Sequence, residues 1–308
     1  MKADTECLDC CKKKAESLLE QYHASEHIRE AVLKETEGIL RSTGEKSAPV
    51  LMAEVLSGVE KYLAITDAYE QPKQKYNQIL MERKAEIIEL LEKQEDLFLA
   101  GVQCAITGNY IDFGAMSDVN EAKLNELLSN CFQISIEGQE LENLRHEIIC
   151  AQKLTYITDN AGEIVLDGIF LNVLKKLNPE LEVTVIVRGV PVLNDATYED
   201  AKKVGLTELV KVIPNGTDVP GTPLNEVSKE ALDEIEGADL CVAKGQGNFE
   251  TLRGCGKNIY YLFLCKCQLF VKKFGVERFT PVLNNEMRIV QYNQKISLAF
   301  WYYHGIDK

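Results

Sequence analysis

The chain has 308 residues, 45% of them hydrophobic, and carries a formal net charge of −14 at pH 7. This hydrophobic fraction is ordinary for a folded globular protein and excludes general disorder, and the length suffices for one large domain or two unequal parts. The strong negative charge argues against nucleic acid or an anionic membrane as the main partner, because both are polyanions.

The N-terminal segment and the cysteines bear on location. Residues 1–19 are charged and lack the apolar stretch of a secretory signal, and no apolar run reaches the ~20 residues that cross a bilayer. The ten cysteines, scattered from Cys7 to Cys267, then indicate reduced thiols rather than a disulfide framework. Cys7, Cys10 and Cys11 either begin a zinc or iron–sulfur site or pack as buried thiols. We predict a cytoplasmic protein.

The first third of the chain has the apolar spacing of amphipathic helices. Apolar residues recur at intervals of three and four among charged residues, and proline and glycine are nearly absent inside these stretches. The pattern predicts helices over 5–22, 27–42, 48–66 and about 74–107. We therefore expect an all-helical N-terminal part over residues 1–145.

Near residue 150 the pattern changes to short apolar runs that alternate with helical stretches. The runs at 153–159, 181–189, 208–214, 239–245 and 258–265 predict strands, and amphipathic helices lie between most of them. Such alternation is typical of an α/β fold with a mainly parallel sheet and helices on both faces. We expect this α/β part to cover residues 146–308 and to pack against the helical part.

Three polar loops follow predicted strands of this sheet. They read TDNAGE over 158–163, RGVPVLNDAT over 188–197 and AKGQGNFE over 243–250. In open α/β sheets, ligands bind beyond the carboxyl ends of the strands, so we expect these loops to converge on one site. Each loop alone would be a weak signal.

The first loop offers oxygen ligands. Asp159 and Asn160 end a strand, and their side-chain oxygens suit Mg²⁺, Mn²⁺ or Ca²⁺ better than Zn²⁺. The helix that follows presents backbone amides that attract an anion such as phosphate. The alternative is that Asp159 only caps this helix, which is a common use of aspartate, and spacing alone leaves both interpretations open.

The second and third loops add an acid and a base. Asp195, after Asn194, is either another oxygen ligand or part of an Asx turn and helix cap. Lys244 lies at a predicted strand end, where its charge can neutralise a phosphate, and Gly245 permits close approach of a ligand to the backbone. This loop lacks the glycine and lysine spacing of a P-loop.

Four segments together resemble a known family. In chain order they read GNYIDFG, YITDNAGEIVLD, VIVRGVPVLNDAT and VAKGQGNFETL. They are similar to the metal-dependent phosphatases of the damage-control class, long called domain of unknown function 89 and also the acidic-residue-methyltransferase-like family. The opening Cys7-Leu8-Asp9-Cys10 resembles the stand-alone, largely prokaryotic branch. A proline that often follows the last strand in that branch is replaced here by Gln268.

The resemblance implies a divalent metal, Mn²⁺, Co²⁺, Ni²⁺ or Mg²⁺, and a small phosphorylated metabolite such as a sugar phosphate as substrate. It implies metal ligands at Asp159, Asn160 and Asp195, and catalytic roles for Asp159, Glu163 and Lys244. The residues expected to bind substrate are Asn109, Asp112, Arg188, Lys244, Gly245 and Asn248.

The chemistry implied is hydrolysis of a phosphate monoester. The nucleophile stays open between water activated near Glu163 and a carboxylate such as Asp159. One alternative is a carboxyl methyltransferase that uses S-adenosylmethionine, although the first loop lacks the glycine-rich turn suited to such a nucleotide. Another is a non-catalytic protein that binds a metal and a metabolite. The sequence leaves the oligomeric state open.

Overall fold

A computed structural model of the chain describes residues 1–112, 121–136 and 138–289. The helices in these ranges are α1 (Thr5–Gln21), α2 (Glu26–Arg41), α3 (Ala48–Leu63), α4 (Glu70–Glu92), α5 (Leu97–Gly108), α6 (Glu121–Ser129), α7 (Gln139–Cys150), α8 (Glu163–Leu177), α9 (Tyr198–Lys203), α10 (Lys229–Gly237), α11 (Gly245–Leu252) and α12 (Gln268–Phe274). The strands are β1 (Lys153–Ile157), β2 (Glu182–Val187), β3 (Lys211–Pro214), β4 (Leu240–Lys244), β5 (Ile259–Leu264) and β6 (Pro281–Asn285). Phe113 and Gly114 of the GNYIDFG segment lie outside the described residues.

The single helical pattern predicted over 74–107 is divided into α4 and α5. Asp96 lies in the break and accepts a hydrogen bond from the backbone N–H of Leu99 at 3.0 Å. Arg145 of α7 pairs with the same carboxylate at 2.6 Å. Because Asp96 satisfies an amide that a helix start leaves unpaired, a new helix begins at this point.

The six strands form one sheet in the order β3-β2-β1-β4-β5-β6. Strands β1 to β5 are parallel, and β6 pairs antiparallel with β5 at the edge. The central strands are buried almost throughout, as expected of β-branched and aromatic runs covered on both faces. This confirms the predicted α/β fold with a mainly parallel sheet.

Helices cover both faces of the sheet. On one face, α4, α5, α7, α8 and α9 share an apolar core with β1 and β2. On the other face, α10, α11 and α12 pack on β4 and β5. Gly101 of α5 lies so near Phe170 of α8 that an added Cβ would be 2.7 Å from the ring. The core therefore runs across residue 145 without a break, and the division of the chain at that residue stays a prediction.

Helices α1, α2 and α3 form a separate apolar cluster. This cluster includes Val192 and Leu193, which lie in the loop after β2. The N-terminal helices therefore pack against a segment at the carboxyl ends of the strands. Among the helices in the described ranges, none combines the length and apolar character required to span a membrane.

Candidate active site

The site lies where the strand order changes direction. β1 and β4 are neighbours, while the chain proceeds from β1 toward β3 on one side and from β4 toward β6 on the other. A crevice forms at such a point because the connections after the two strands diverge to opposite faces. The first and third predicted loops leave these two strands.

Backbone hydrogen bonds join the first loop to the second. The N–H of Ala196 donates to the carbonyl of Asp159, and the N–H of Ala161 donates to the carbonyl of Asn194, both at 2.8 Å. Asn160 and Asp195 face each other in an isolated antiparallel bridge. This pairing brings together Asp159, Asn160 and Asp195, although Asp195 comes 36 positions after Asp159 in the sequence.

Neighbouring side chains orient the two carboxylates. Oδ2 of Asp159 accepts hydrogen bonds from Asn109 Nδ2 at 2.9 Å and from Asn160 Nδ2 at 2.8 Å. Oδ2 of Asp195 accepts from Arg188 Nε at 2.7 Å. All five side chains are buried. Partners of this kind limit the rotation of a carboxylate and set the direction of its remaining oxygen.

Negative charge is concentrated here. Burial raises the pKa of Asp159 well above its ordinary value, and Glu163, Asp195 and Asp112 raise it further. Burial also raises the pKa of Asp195 to about 6, although Arg188 acts in the opposite direction. Crowded, buried carboxylates of this kind favour a cation among them.

A hard divalent cation fits this donor set, because carboxylate and amide oxygens are the ligands it prefers. Within the part of the chain that the structure describes, no three His, Cys, Asp or Glu side chains form a ready metal cluster. A cation held by Asp159 and Asp195 would take the amide oxygen of Asn160 as its third protein ligand. The nitrogen of that amide already donates to Asp159 and Glu163, at 2.8 and 2.7 Å, which leaves its oxygen for another partner.

Lys244 is enclosed by protein acceptors. Its Nζ donates to Glu163 Oε1 at 2.5 Å, Asp167 Oδ1 at 2.7 Å and the carbonyl of Ala105 at 2.9 Å. Burial lowers the pKa of Lys244, but Asp167 and Glu163 outweigh that effect and hold it above its ordinary value. An ammonium group has three N–H bonds, and all three are used here. The structure thus places Lys244 behind Glu163 rather than facing the crevice.

Asp167 was not predicted as a site residue. It lies one turn after Glu163 on α8, is fully buried and also accepts a hydrogen bond from the hydroxyl of Tyr156 at 2.7 Å. Positions i and i+4 share a helix face, so a second acid at this spacing was a readable signal.

The helical part contributes Asn109 and Asp112, which follow α5. The Oδ1 of Asn109 accepts from the N–H of Leu264 at 3.0 Å, which ties this segment to β5. Lys266 Nζ pairs with Asp112 Oδ2 and donates to the carbonyl of Asn109, both at 2.5 Å. Lys266 was not predicted as a site residue. Like Arg188, it comes just after a strand, and this position in the sequence could have indicated that it lies near the site.

Three residues predicted to bind substrate contact other groups of the protein in the structure. Arg188 donates from its second nitrogen to the carbonyl of Gly221 in addition to its bond with Asp195. Asn248 donates to the carbonyls of Thr158 and Lys244 at 3.0 and 2.7 Å. Gly245 lies against Asp159, since a Cβ at this position would be 1.9 Å from Oδ2 of that carboxylate.

Comparison with known proteins identifies the family. A model of the damage-control phosphatase ARMT1-like domain matches residues 3–282. An uncharacterized protein from Methanocaldococcus jannaschii is 33% identical over 287 residues, which cover 90% of this chain and 93% of the relative. A damage-control phosphatase from Pyrococcus horikoshii is 32% identical over 284 residues, which cover 90% of this chain and 96% of the relative.

A solved structure gives the same result. The crystal structure of a DUF89 family protein from Pyrococcus horikoshii matches with a TM-score of 0.81 and 29% sequence identity. The match covers 93% of this chain and 99% of the other. These findings confirm the resemblance carried by the four sequence segments, and the chain belongs to the damage-control phosphatase family.

Proposed function

We propose that this protein is a metal-dependent phosphatase that hydrolyses phosphate monoesters of small metabolites, such as sugar phosphates or related damaged phosphometabolites. The observation that supports this most is the buried convergence of Asp159, Asn160 and Asp195 at the switch point of the sheet. The family membership supports the phosphatase activity.

Asp159, Asn160 and Asp195 would hold a divalent cation, Mn²⁺, Co²⁺, Ni²⁺ or Mg²⁺. When bound, such a cation supplies Lewis-acid stabilisation of the negative charge on the phosphoryl group. Arg188 and Asn109 keep the two carboxylates oriented through the hydrogen bonds described above. Glu163 acts on Asn160, because its Oε2 accepts from the amide nitrogen at 2.7 Å and so turns the amide oxygen toward the ligand position.

Lys266 is the cation proposed to meet the phosphate. The side chains of Lys266 and Lys244 are both inaccessible, but Asp112, the partner of Lys266, keeps 13% of its side-chain surface accessible, whereas Glu163 and Asp167, the partners of Lys244, keep none. A phosphate that enters beside Asp112 would meet Lys266 first, and a lysine contributes a point charge to phosphate oxygens. Lys244 is proposed to act through Glu163 and Asp167, by holding both carboxyl groups in place.

The test is turnover of an aryl phosphate with each of the four metals and with a chelator. We expect activity only with metal. Asp159→Asn and Asp195→Asn should lose more than the ~10–100-fold that removal of an outer partner of a metal ligand costs, while the variants remain folded. Asp233→Asn on the exposed face of α10 is the matched control. Full activity with a chelator, or in Asp159→Asn, would show that the proposal is wrong.

The methyltransferase alternative is not favoured, since the family model and the relative from Pyrococcus horikoshii both carry the phosphatase description. Calorimetric binding of S-adenosylmethionine in metal-free buffer would restore it. A non-catalytic binding protein would bind Mn²⁺ without turning over any phosphate ester, so the same assay separates that alternative from the enzyme.

A further inference from the structure

Asn77 connects both loops that carry the proposed metal ligands. It lies on α4, in the helical part of the chain, and is 5% exposed. Its Oδ1 accepts a hydrogen bond from the N–H of Gly162 at 2.6 Å, and its Nδ2 donates to Asp200 Oδ1 at 2.9 Å. One side chain thus binds two segments that are far apart in sequence.

Gly162 is the end of the first loop. It comes two residues after Asn160, has φ +80° and immediately precedes α8. An added Cβ there would be 2.9 Å from the Cβ of Tyr76, so the backbone of α4 lies directly against this turn. The N–H of Gly162 belongs to a buried residue at a helix start, where an amide without a partner is costly. Asn77 supplies that partner.

Asp200 anchors the end of the second loop. Its Oδ2 accepts from the N–H and the hydroxyl of Thr197, at 3.0 and 2.7 Å, in a capping box at the start of α9. Thr197 comes two residues after Asp195. The position of Asp200 therefore bears directly on the backbone that carries Asp195.

Lys73, one turn before Asn77, supports the same arrangement. Its Nζ forms an ion pair with Asp67 at 2.6 Å and lies 3.9 Å from Asp200 Oδ2. The side chains of Lys73 and Asp200 are both nearly inaccessible, at 5% and 6%. A buried acid held by an amide on one oxygen and capping donors on the other has little freedom to move.

We infer that Asn77 is a positioning residue for the metal site: it holds the Asp159–Asn160 loop and the Asp195 loop at a fixed separation through Gly162 and Asp200. The inference rests on the proposed metal site. Partners behind the ligands act on metal affinity, because a displaced ligand must be returned to position when the metal binds. A role in folding alone would lower stability and leave the affinity of the folded protein unchanged.

The experiment measures the Kd for Mn²⁺ by calorimetry, well below the melting temperature, together with the melting temperature in chelator. For Asn77→Ala we expect Kd to rise by about 10–100-fold. Asn178→Ala is the matched control: its Nδ2 donates to the carbonyls of Ile148 and Ala151 at 2.9 and 2.8 Å, at the opposite end of β1. We expect this control to lose stability but to keep its Kd.

An exchange of the two side chains keeps the test decisive if Asn77→Ala does not fold. Asn77→Asp alone places two carboxylates together and should weaken Mn²⁺ binding. The double variant Asn77→Asp with Asp200→Asn keeps the total charge of the two side chains and an acceptor for the N–H of Gly162. It also keeps one donor for the hydrogen bond between positions 77 and 200. We expect it to restore Kd to within about threefold of the wild type, a coupling that only residues in contact show.

Each failure has its own signature. If the wild type binds no Mn²⁺, the proposed metal site is wrong, and this inference is wrong as well. If the wild type binds Mn²⁺ and Asn77→Ala binds it equally tightly, the inference alone is overturned. The same holds if the exchange variant folds but binds as weakly as Asn77→Asp.

Discussion

At the scale of single residues, the buried ammonium of Lys244 illustrates how much depends on its partners. It lies between Glu163 and Asp167, and the side chains of all three are inaccessible to solvent. A buried charge is costly unless it is paired, and here one lysine serves two acids. The same group therefore contributes to stability and to the orientation of the site.

Replacement of this lysine should be severe. We expect Lys244→Met to lower the free energy of unfolding by about 3–5 kcal/mol, because it leaves uncompensated carboxylates in the core. Urea unfolding followed by circular dichroism measures the change. Lys211→Met, at a half-exposed lysine paired with Glu234, should cost only about 0–1 kcal/mol. Equal losses in the two variants would contradict the assigned role of Lys244.

Gly245 allows a sharper comparison, because Gly256 has nearly the same φ angle. Their φ angles are +79° and +73°, but only at Gly245 would a Cβ meet Asp159, whereas nothing lies within 4 Å at Gly256. We expect both alanine variants to lose about 1–2 kcal/mol of stability from the left-handed backbone. Only Gly245→Ala should also displace Asp159 and lose Mn²⁺ binding and turnover. Calorimetric titration of both variants with Mn²⁺ checks this.

At the scale of elements, several acidic side chains lie close together near the end of α3. Glu60 in the last turn of α3 has its pKa raised to about 7 by burial, with Asp67 and Asp218 adding to the effect. The ordinary pKa of this carboxyl is 4.5. Between these two values the folded state binds more protons at Glu60 than the unfolded state does. Stability from this group is therefore present at low pH and is lost as pH rises through the window.

The consequence is a pH-dependent effect of Glu60→Gln. We expect the variant to melt higher than the wild type at pH 8, because it removes a charge that is unfavourable in the folded state. At pH 4.5 the carboxyl is largely protonated in the folded protein, so the two melting temperatures should nearly coincide. Melting curves at both pH values measure the difference. A variant that is less stable at pH 8 than the wild type would contradict the assignment.

At the scale of the whole molecule, the proposed metal joins segments from distant parts of the chain. Its ligands follow β1 and β2, while Asn109 and Asn77, from the helical part, hold the ligand loops. Anything that binds the folded state alone stabilises the entire fold by mass action. The apolar core shared by α4, α5, α8 and the sheet means that this gain is not confined to the site.

Metal addition should therefore raise the melting temperature. With Mn²⁺ at 100 times its Kd we expect a gain of about 2.7 kcal/mol in the free energy of unfolding. For a chain of 308 residues, that corresponds to roughly 4 °C. Calorimetric scans with Mn²⁺ and with a chelator measure the shift. Asp195→Asn should show almost none of it, and a full shift in that variant would rule out Asp195 as a ligand.

The sequence by itself determined the architecture and the strand ends at which the proposed site lies. Alternating apolar runs and amphipathic helices specify the parallel sheet, because the two periodicities are local properties of the chain. The four polar segments led to the correct family and to the strand ends where Asp159, Asn160 and Asp195 meet. The break at Asp96 was missed, since one helical period continues across it and the cap becomes decisive only where α7 presents Arg145.

Only the tertiary structure decided which way the side chains face. A lysine at a strand end has the same sequence signature whichever acids it pairs with, so Lys244 and Lys266 could not be told apart. Their partners, Asp167 for one and Asp112 for the other, are 77 and 154 positions away. Asn77 was undetectable for the same reason, because its proposed role depends on Gly162 and Asp200 being brought to it. Hydrogen-bond partners and burial arise from packing between segments that are distant in sequence. A local sequence pattern therefore cannot predict them.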